Sequence, residues 1–272
     1  MHSIVRFPLI ALAAPLLLTG LAIPAAAQTD ARISGFFTLG ALSTPEYQGS
    51  SDRIISPLVA ARLAYGSNYI ETATLSAGLG LRANVSPWPE IEFGPFLGQR
   101  RGRSDVENER VRLLEDIDDS FEAGVFVRVP FRNVLDSRDE AAIEVQFQGD
   151  VSWTASGNLL FFGGSYRFNP TDRLRLSALA LATYASDRYN QTFFGVTAAG
   201  AAASGLPEYK ASSGIRDVGL TFTANYEITG GWGITGVVNY RRLLGDAADS
   251  PIVSGEGNAN QLSFGLGISY RF

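Results

Sequence analysis

Side chains along most of this chain alternate between apolar and polar with a period of two. The last twelve residues do so without a break: Leu262, Phe264, Leu266, Ile268, Tyr270 and Phe272 share one side, and Gln261, Ser263, Gly265, Gly267, Ser269 and Arg271 share the other. That period belongs to a strand with one greasy and one wet face. The same alternation recurs at 32–42, 55–65, 91–98, 121–131, 143–147, 160–168, 174–184, 217–228 and 232–240. The stretch 69–85 reads as two short strands broken near Ser76-Ala77-Gly78. Counted this way the chain has twelve strands, with ten as the fallback. An even number closes without leaving an edge.

The connections are of two kinds. Those at 66–68, 86–89, 133–139, 169–172 and 229–231 are mostly short, whereas those at 43–52, 99–120, 186–214 and 245–258 are long. They alternate, so short turns gather at one rim and long loops at the other, as in outer-membrane barrels. A single amphipathic strand would suit a soluble sandwich or a lipocalin-like barrel equally well, but a sandwich has no reason to sort its loops. The predicted fold is therefore an all-β, antiparallel transmembrane β-barrel. Its wet faces carry Arg62, Glu92, Glu122, Arg128, Glu144, Arg167, Asp217, Glu227, Arg241 and Arg271, all opposite the apolar face. In a barrel these charges point into the lumen. An unpaired buried charge is costly, so they are expected to join in a network of Arg–carboxylate pairs.

The first residues change the picture of where the chain works. Arg6 precedes an apolar run over 7–23 and the small-residue site Ala25-Ala26-Ala27, the pattern of a cleaved signal peptide over 1–27. Residues 28–272 would then form the barrel. Pro8, Pro15, Gly20 and Pro24 interrupt the run and argue against a retained membrane helix. His2 is the only His, there is no Cys, and Lys210 is the only Lys. A Ser-His-Asp triad and a Cys nucleophile are thus excluded from the mature chain, as are the two best transition-metal ligands. The formal net charge of −5 does not suit a nucleic-acid binder. No cofactor or metal is expected, and no enzyme.

Two loops carry candidate chemistry. The acidic run Glu115-Asp116-Ile117-Asp118-Asp119 lacks the spacing and the turn glycine of a Ca²⁺ loop, and reads as a solvated loop. Arg100, Arg101 and Arg103 precede it; they would either pair with those acids or hold lipopolysaccharide phosphates at the outer rim. The loop 186–214 carries Tyr189, Phe193, Phe194 and Tyr209. Aromatics in so long a loop either fold inward and plug the mouth or pack against neighbouring loops above it.

Several separated segments resemble, in one order, the MltA-interacting protein (MipA)/OmpV family of Gram-negative outer-membrane proteins. They are Pro45-Glu46-Tyr47-Gln48-Gly49-Ser50, Ser186-Asp187-Arg188-Tyr189-Asn190-Gln191-Thr192-Phe193-Phe194-Gly195-Val196, Ser204-Gly205-Leu206-Pro207-Glu208-Tyr209, the run from Leu243 to Val253, and the closing Gly267-Ile268-Ser269-Tyr270-Arg271-Phe272. The resemblance implies an outer-membrane location, with lipid as the surrounding partner. It further implies a scaffold between a murein-degrading lytic transglycosylase and a bifunctional penicillin-binding protein. The alternative is a narrow small-solute channel or a surface receptor or adhesin. The ending, with Tyr270 and Phe272, also resembles the signal by which such barrels are recognised for assembly. Phe272 is expected at the periplasmic rim and Arg271 on the lumen side.

Overall fold

The computed structural model describes residues 32–75, 78–152 and 157–272; the signal peptide expected over 1–27 lies outside them. Twelve strands follow the chain: β1 (Ile33–Pro45), β2 (Arg53–Tyr65), β3 (Asn68–Leu75), β4 (Gly78–Asn84), β5 (Glu92–Arg100), β6 (Ser120–Arg132), β7 (Glu140–Asp150), β8 (Asn158–Phe168), β9 (Leu174–Ala185), β10 (Gly214–Thr229), β11 (Trp232–Leu243) and β12 (Asn260–Arg271). Each pairs antiparallel with the next, and β12 closes on β1 through pairs that run from Phe36↔Arg271 to Ser43↔Phe264. The stretch 69–85 is two strands, and the barrel is closed with twelve.

The period of two sorts the wall into two faces. Leu266 and Ile268 are more than half exposed on the outside, at 67% and 62%, while Ser269 between Ile268 and Tyr270 is buried at 4%. In a water-soluble protein an apolar face this exposed around a whole sheet would be untenable; in lipid it is the required outer wall. Where the short turns lie, aromatic rings form a girdle. Trp232, Tyr270, Phe37 and Phe272 stack or tilt against one another at centroid distances of 4.8–6.2 Å, and Trp88 tilts against Phe93. Rings of this kind mark a membrane–water interface. Higher on the outer wall, Ala41, Ala178, Ala224 and Gly236 sit between Phe222, Phe264 and Leu266 and leave a shallow apolar hollow towards the hydrocarbon.

Closure makes two glycines obligatory. Gly40 of β1 lies opposite Gly267 of β12. A Cβ on Gly40 would fall 2.0 Å from the Leu266 carbonyl oxygen and 2.4 Å from Cα of Gly267. In the tight turn between β10 and β11, Gly230 and Gly231 both have positive φ, 54° and 84°, which suits the right-handed strand twist of a two-residue hairpin.

Among the described residues four short α-helices and a single 3-10 turn (Val111–Leu113) ride on the long loops, where the sequence reading has only irregular chain. The α-helices are α1 (Asp187–Phe194), α2 (Ala198–Ser204), α3 (Gly245–Asp249) and α4 (Pro251–Ser254). Local caps start three of them. Ser186, Thr197 and Ser250 accept backbone N–H groups from Tyr189, Gly200 and Ile252, and Pro251 occupies the first helical turn. Gly205, with φ 70°, ends α2. Among the described residues no helix is long and apolar enough to cross a membrane; the strands do that.

Candidate functional site

The half of the lumen nearer the short turns holds a belt of charge that strand register assembles. Arg62 lies directly opposite Glu71, and Glu71 opposite Arg82. The Glu71 carboxylate accepts from both, at 2.8 and 2.7 Å, and Arg82 reaches Glu144 at 3.4 Å. Arg62 also stacks on the Tyr69 ring at 3.6 Å, and Arg82 on Phe126 at 4.8 Å. The Tyr69 hydroxyl donates to Glu92 at 2.8 Å, and Arg128 bridges Glu92 at 2.9 Å and Glu140 at 2.6 Å. Arg132 and Arg167 converge on the same Glu140 at 3.5 and 3.6 Å. Cross-strand neighbours of opposite charge each contribute a fraction of a kcal/mol to about 1 kcal/mol. Sharing each carboxylate among several guanidiniums extends the chain of contacts around the wall.

Towards the long loops the network is drier. Arg100 and Glu122 form a two-pronged pair at 2.7 and 2.8 Å, both essentially without solvent exposure. Gln148 donates to the same carboxylate, and Gln146 to Gln148 at 2.7 Å. On the opposite wall Asp217 pairs with Arg216, accepts from the Thr183 hydroxyl at 3.0 Å, and faces Arg241 at 3.6 Å. A register shift between Ile215 and Asp217 lets these consecutive residues both turn inward. Strict alternation puts Arg216 in lipid; the bulge re-aims it.

The loop cap meets this network through one ring. Tyr189 of α1 is fully buried and lies between the guanidiniums of Arg100 at 5.2 Å and Arg216 at 5.0 Å. Two cations on one ring face an electron-rich π surface, and the hydroxyl exchanges hydrogen bonds with Gln48. Around it Phe193 and Phe194 pack with Leu159, Phe161, Ala185 and Leu243, inward residues of β8, β9 and β11. A second apolar cluster lies among the loops themselves: Tyr47, Val106, Val111, Leu114, Val196, Leu206 and Ile252. Tyr209 touches both clusters, and its hydroxyl donates to the Asp246 carbonyl at 3.0 Å. Burial pushes the Tyr47 phenol up to about 12. The Thr197 hydroxyl donates to Glu115 and holds that carboxyl below the usual range, against a weaker opposing effect of burial.

Each residue singled out by the alternating pattern can now be placed. Arg62, Glu92, Glu122, Arg128, Glu144, Arg167, Asp217 and Arg241 take part in the ion pairs above, Glu227 faces Arg175 at 3.6 Å, and Arg271 lies over the Phe36 ring at 5.8 Å. Phe272 is half exposed at the aromatic girdle, its backbone exchanging two bonds of 3.1 Å with Gly35. The pattern missed Glu71, Arg82, Glu140, Arg175 and Arg216. It also misplaced two of the three arginines that precede the acidic run; Arg101 is exposed. Arg100 is the last residue of β5 and points into the lumen, and Arg103 is buried beneath the cap, donating to the Phe193 carbonyl at 3.1 Å. Neither is at the outer rim or paired with the acids of its own loop, because strand β5 runs two residues further than its apolar pattern and carries Arg100 inward.

A family model described as "MltA-interacting protein MipA" matches residues 37–272. Among solved structures, the NanC porin aligns at 9% identity over 88% of this chain and 100% of its own, with a TM-score of 0.43. A COG4313 outer membrane channel from Pseudomonas putida F1 aligns at 9% identity over 91% and 97%, with a TM-score of 0.43. OmpT, an outer membrane protein of Vibrio cholerae, aligns at 7% identity over 90% and 99%, with a TM-score of 0.39. No curated protein sequence matches.

Proposed function

This chain belongs to the MipA family of outer-membrane β-barrels, and from that premise we propose that it is a non-enzymatic scaffold for murein-remodelling enzymes. The family's description names an interaction with MltA; for this chain the partners proposed are a lytic transglycosylase and, with it, a bifunctional penicillin-binding protein. The observation that carries the reading is at the rim of short turns. Leu135 is 83% exposed at the tip of the β6–β7 connection, beside the half-exposed Val134. Trp88 is exposed on the β4–β5 connection, which Arg132 ties to the same region by donating to the Pro89 carbonyl at 3.1 Å. Leu135 and Val134, at the tip of a turn beyond the aromatic girdle, have no lipid to meet, and a partner protein would cover them together with the exposed edge of Trp88. The turns alone are small beside a standard interface of about 800 Å² per partner, so contact would centre on these few residues.

The scaffold is tested by capture of the two enzyme classes from solubilised outer membranes. The intact barrel should retain them and Leu135→Asp should lower retention about tenfold, as loss of a central apolar anchor does. No capture by the intact barrel would sink the reading. A second reading, a narrow channel, draws support from the polar lumen. The cap packed over its mouth opposes it, and a barrel silent in planar bilayers both with and without residues 187–204 would end it.

A further inference from the structure

The lumen is more basic than the chain that builds it. The chain carries a formal net charge of −5. In the half of the lumen near the short turns, however, the described arginines Arg62, Arg82, Arg128, Arg132, Arg167, Arg175 and Arg271 outnumber the carboxylates Glu71, Glu92, Glu140, Glu144 and Glu227. The surplus is local. On one side of the belt every guanidinium has a carboxylate within hydrogen-bonding distance or close to it. On the other, among the described residues, Arg175 of β9 has Glu227 at 3.6 Å as its ion-pair partner, and Arg271 of β12 stands in no ion pair. Nη1 of Arg175 and Nε of Arg271 are buried and have no hydrogen-bond partner among the described residues. The charges of Arg167 and Arg175 also bear on Arg271 as like charges.

Such an arrangement favours a counter-ion. Buried donors are nearly always satisfied, and like charges in a shared cleft repel unless an anion joins them. A guanidinium presents its N–H groups as a planar fork that fits carboxylate and phosphate oxygens. The cleft is reachable: Arg167 has 52% of its side chain exposed, Glu227 29% and Arg175 26%. One level further in, Asn225 donates to Thr235 and Ser269 at 2.8 and 2.7 Å, so those polar groups are already occupied and form a neutral floor.

We propose that this vestibule, entered from the periplasm, is a binding site for a small oxyanion carrying two or more negative charges, held between Arg175 and Arg271 with Arg167 at the entrance. The proposal does not rest on the scaffold reading, because anion binding and enzyme capture are measured separately. The probes are citrate for carboxylates and pyrophosphate for phosphates, titrated calorimetrically into the refolded barrel at constant ionic strength. At least one should bind at a single site per barrel, and which one binds assigns the oxyanion class. Arg175→Gln should weaken binding at least about tenfold, the loss expected for one hydrogen bond to a charged group, and Arg271→Gln likewise. Arg53→Gln, on the outer wall, should leave it unchanged. Heat-modifiable gel mobility identifies the folded variants, and if Arg271→Gln does not fold, Arg175→Gln decides. Absence of binding by both probes up to about 10 mM, or wild-type affinity in folded Arg175→Gln, would overturn the proposal.

Discussion

Individual side chains here act mostly through partners that other strands or loops supply. Glu115 shows how the sign of such a contact is read. Its carboxyl is held below the usual range chiefly by the Thr197 hydroxyl, so the contact stabilises the folded cap above the unfolded carboxylate pKa of about 4.3. It is lost as pH falls through the lower folded value. Glu115 is largely solvated, and the contribution is accordingly about 1 kcal/mol or less. The chain has no cysteine, so a single one introduced at the exposed Ala202 can carry a nitroxide. The label should gain mobility as the pH is lowered into the acid range, and Glu115→Ala should already be more mobile at neutral pH. Identical spectra for the two proteins across the titration would refute the contact's role. Tyr189 works at the same scale. Its aromatic identity was visible in the sequence, but its place between Arg100 and Arg216 was not, since both arginines reach it from strands far away in the chain.

The strands were legible because a period of two, unlike a contact, is local. What escaped were departures from it. The faces of 69–85 were hard to read because Ala, Thr and Gly fall on both sides of the strand, so Glu71 and Arg82 went unassigned although register sets them opposite each other. The bulge before Asp217 adds one residue without any turn signal, which hid Arg216. The loop helices are eight residues or shorter, too few to show an amphipathic period. Their only signals are the caps Ser186, Thr197 and Ser250-Pro251. Glycine roles are legible only once the strands are paired. Gly40→Val should destabilise the seam between β1 and β12 by about 1–3 kcal/mol, the usual cost of forcing atoms into filled space. Gly164→Ala, where nothing lies within 4 Å of the added Cβ, should be nearly neutral. Denaturant midpoints of the refolded barrels measure both, and equal midpoints would mean that the seam tolerates a side chain.

At the scale of the molecule, the upper lumen, packed against the loop helices, and the charged lower one divide the barrel into a floor on the side of the short turns and a cap on the side of the long loops. Phe272 belongs to the boundary between wall and floor. Its ring contacts Tyr270 and it remains half exposed, so Phe272→Ala removes little packing from the finished barrel and keeps the two backbone bonds to Gly35. The substitution should nevertheless reduce the amount of folded barrel in outer membranes severalfold while leaving the unfolding free energy of the purified protein within about 0.5 kcal/mol. Unchanged membrane levels would show that the terminal ring carries no assembly signal.

The seam between β1 and β12 also has a meaning in time. All other neighbours in the barrel are consecutive along the chain, whereas this pair joins its two extremes. All eleven consecutive pairings can therefore form and still leave an open sheet with two unpaired edges, each a template for another chain. Ring closure by so distant a contact is slow and waits until the C-terminal strand is delivered. A ribosome that stops early produces a chain with no means of hiding those edges, and the bacterium must destroy it or shield it in the periplasm. The last strand is thus the checkpoint at which an aggregation-prone sheet becomes a membrane protein.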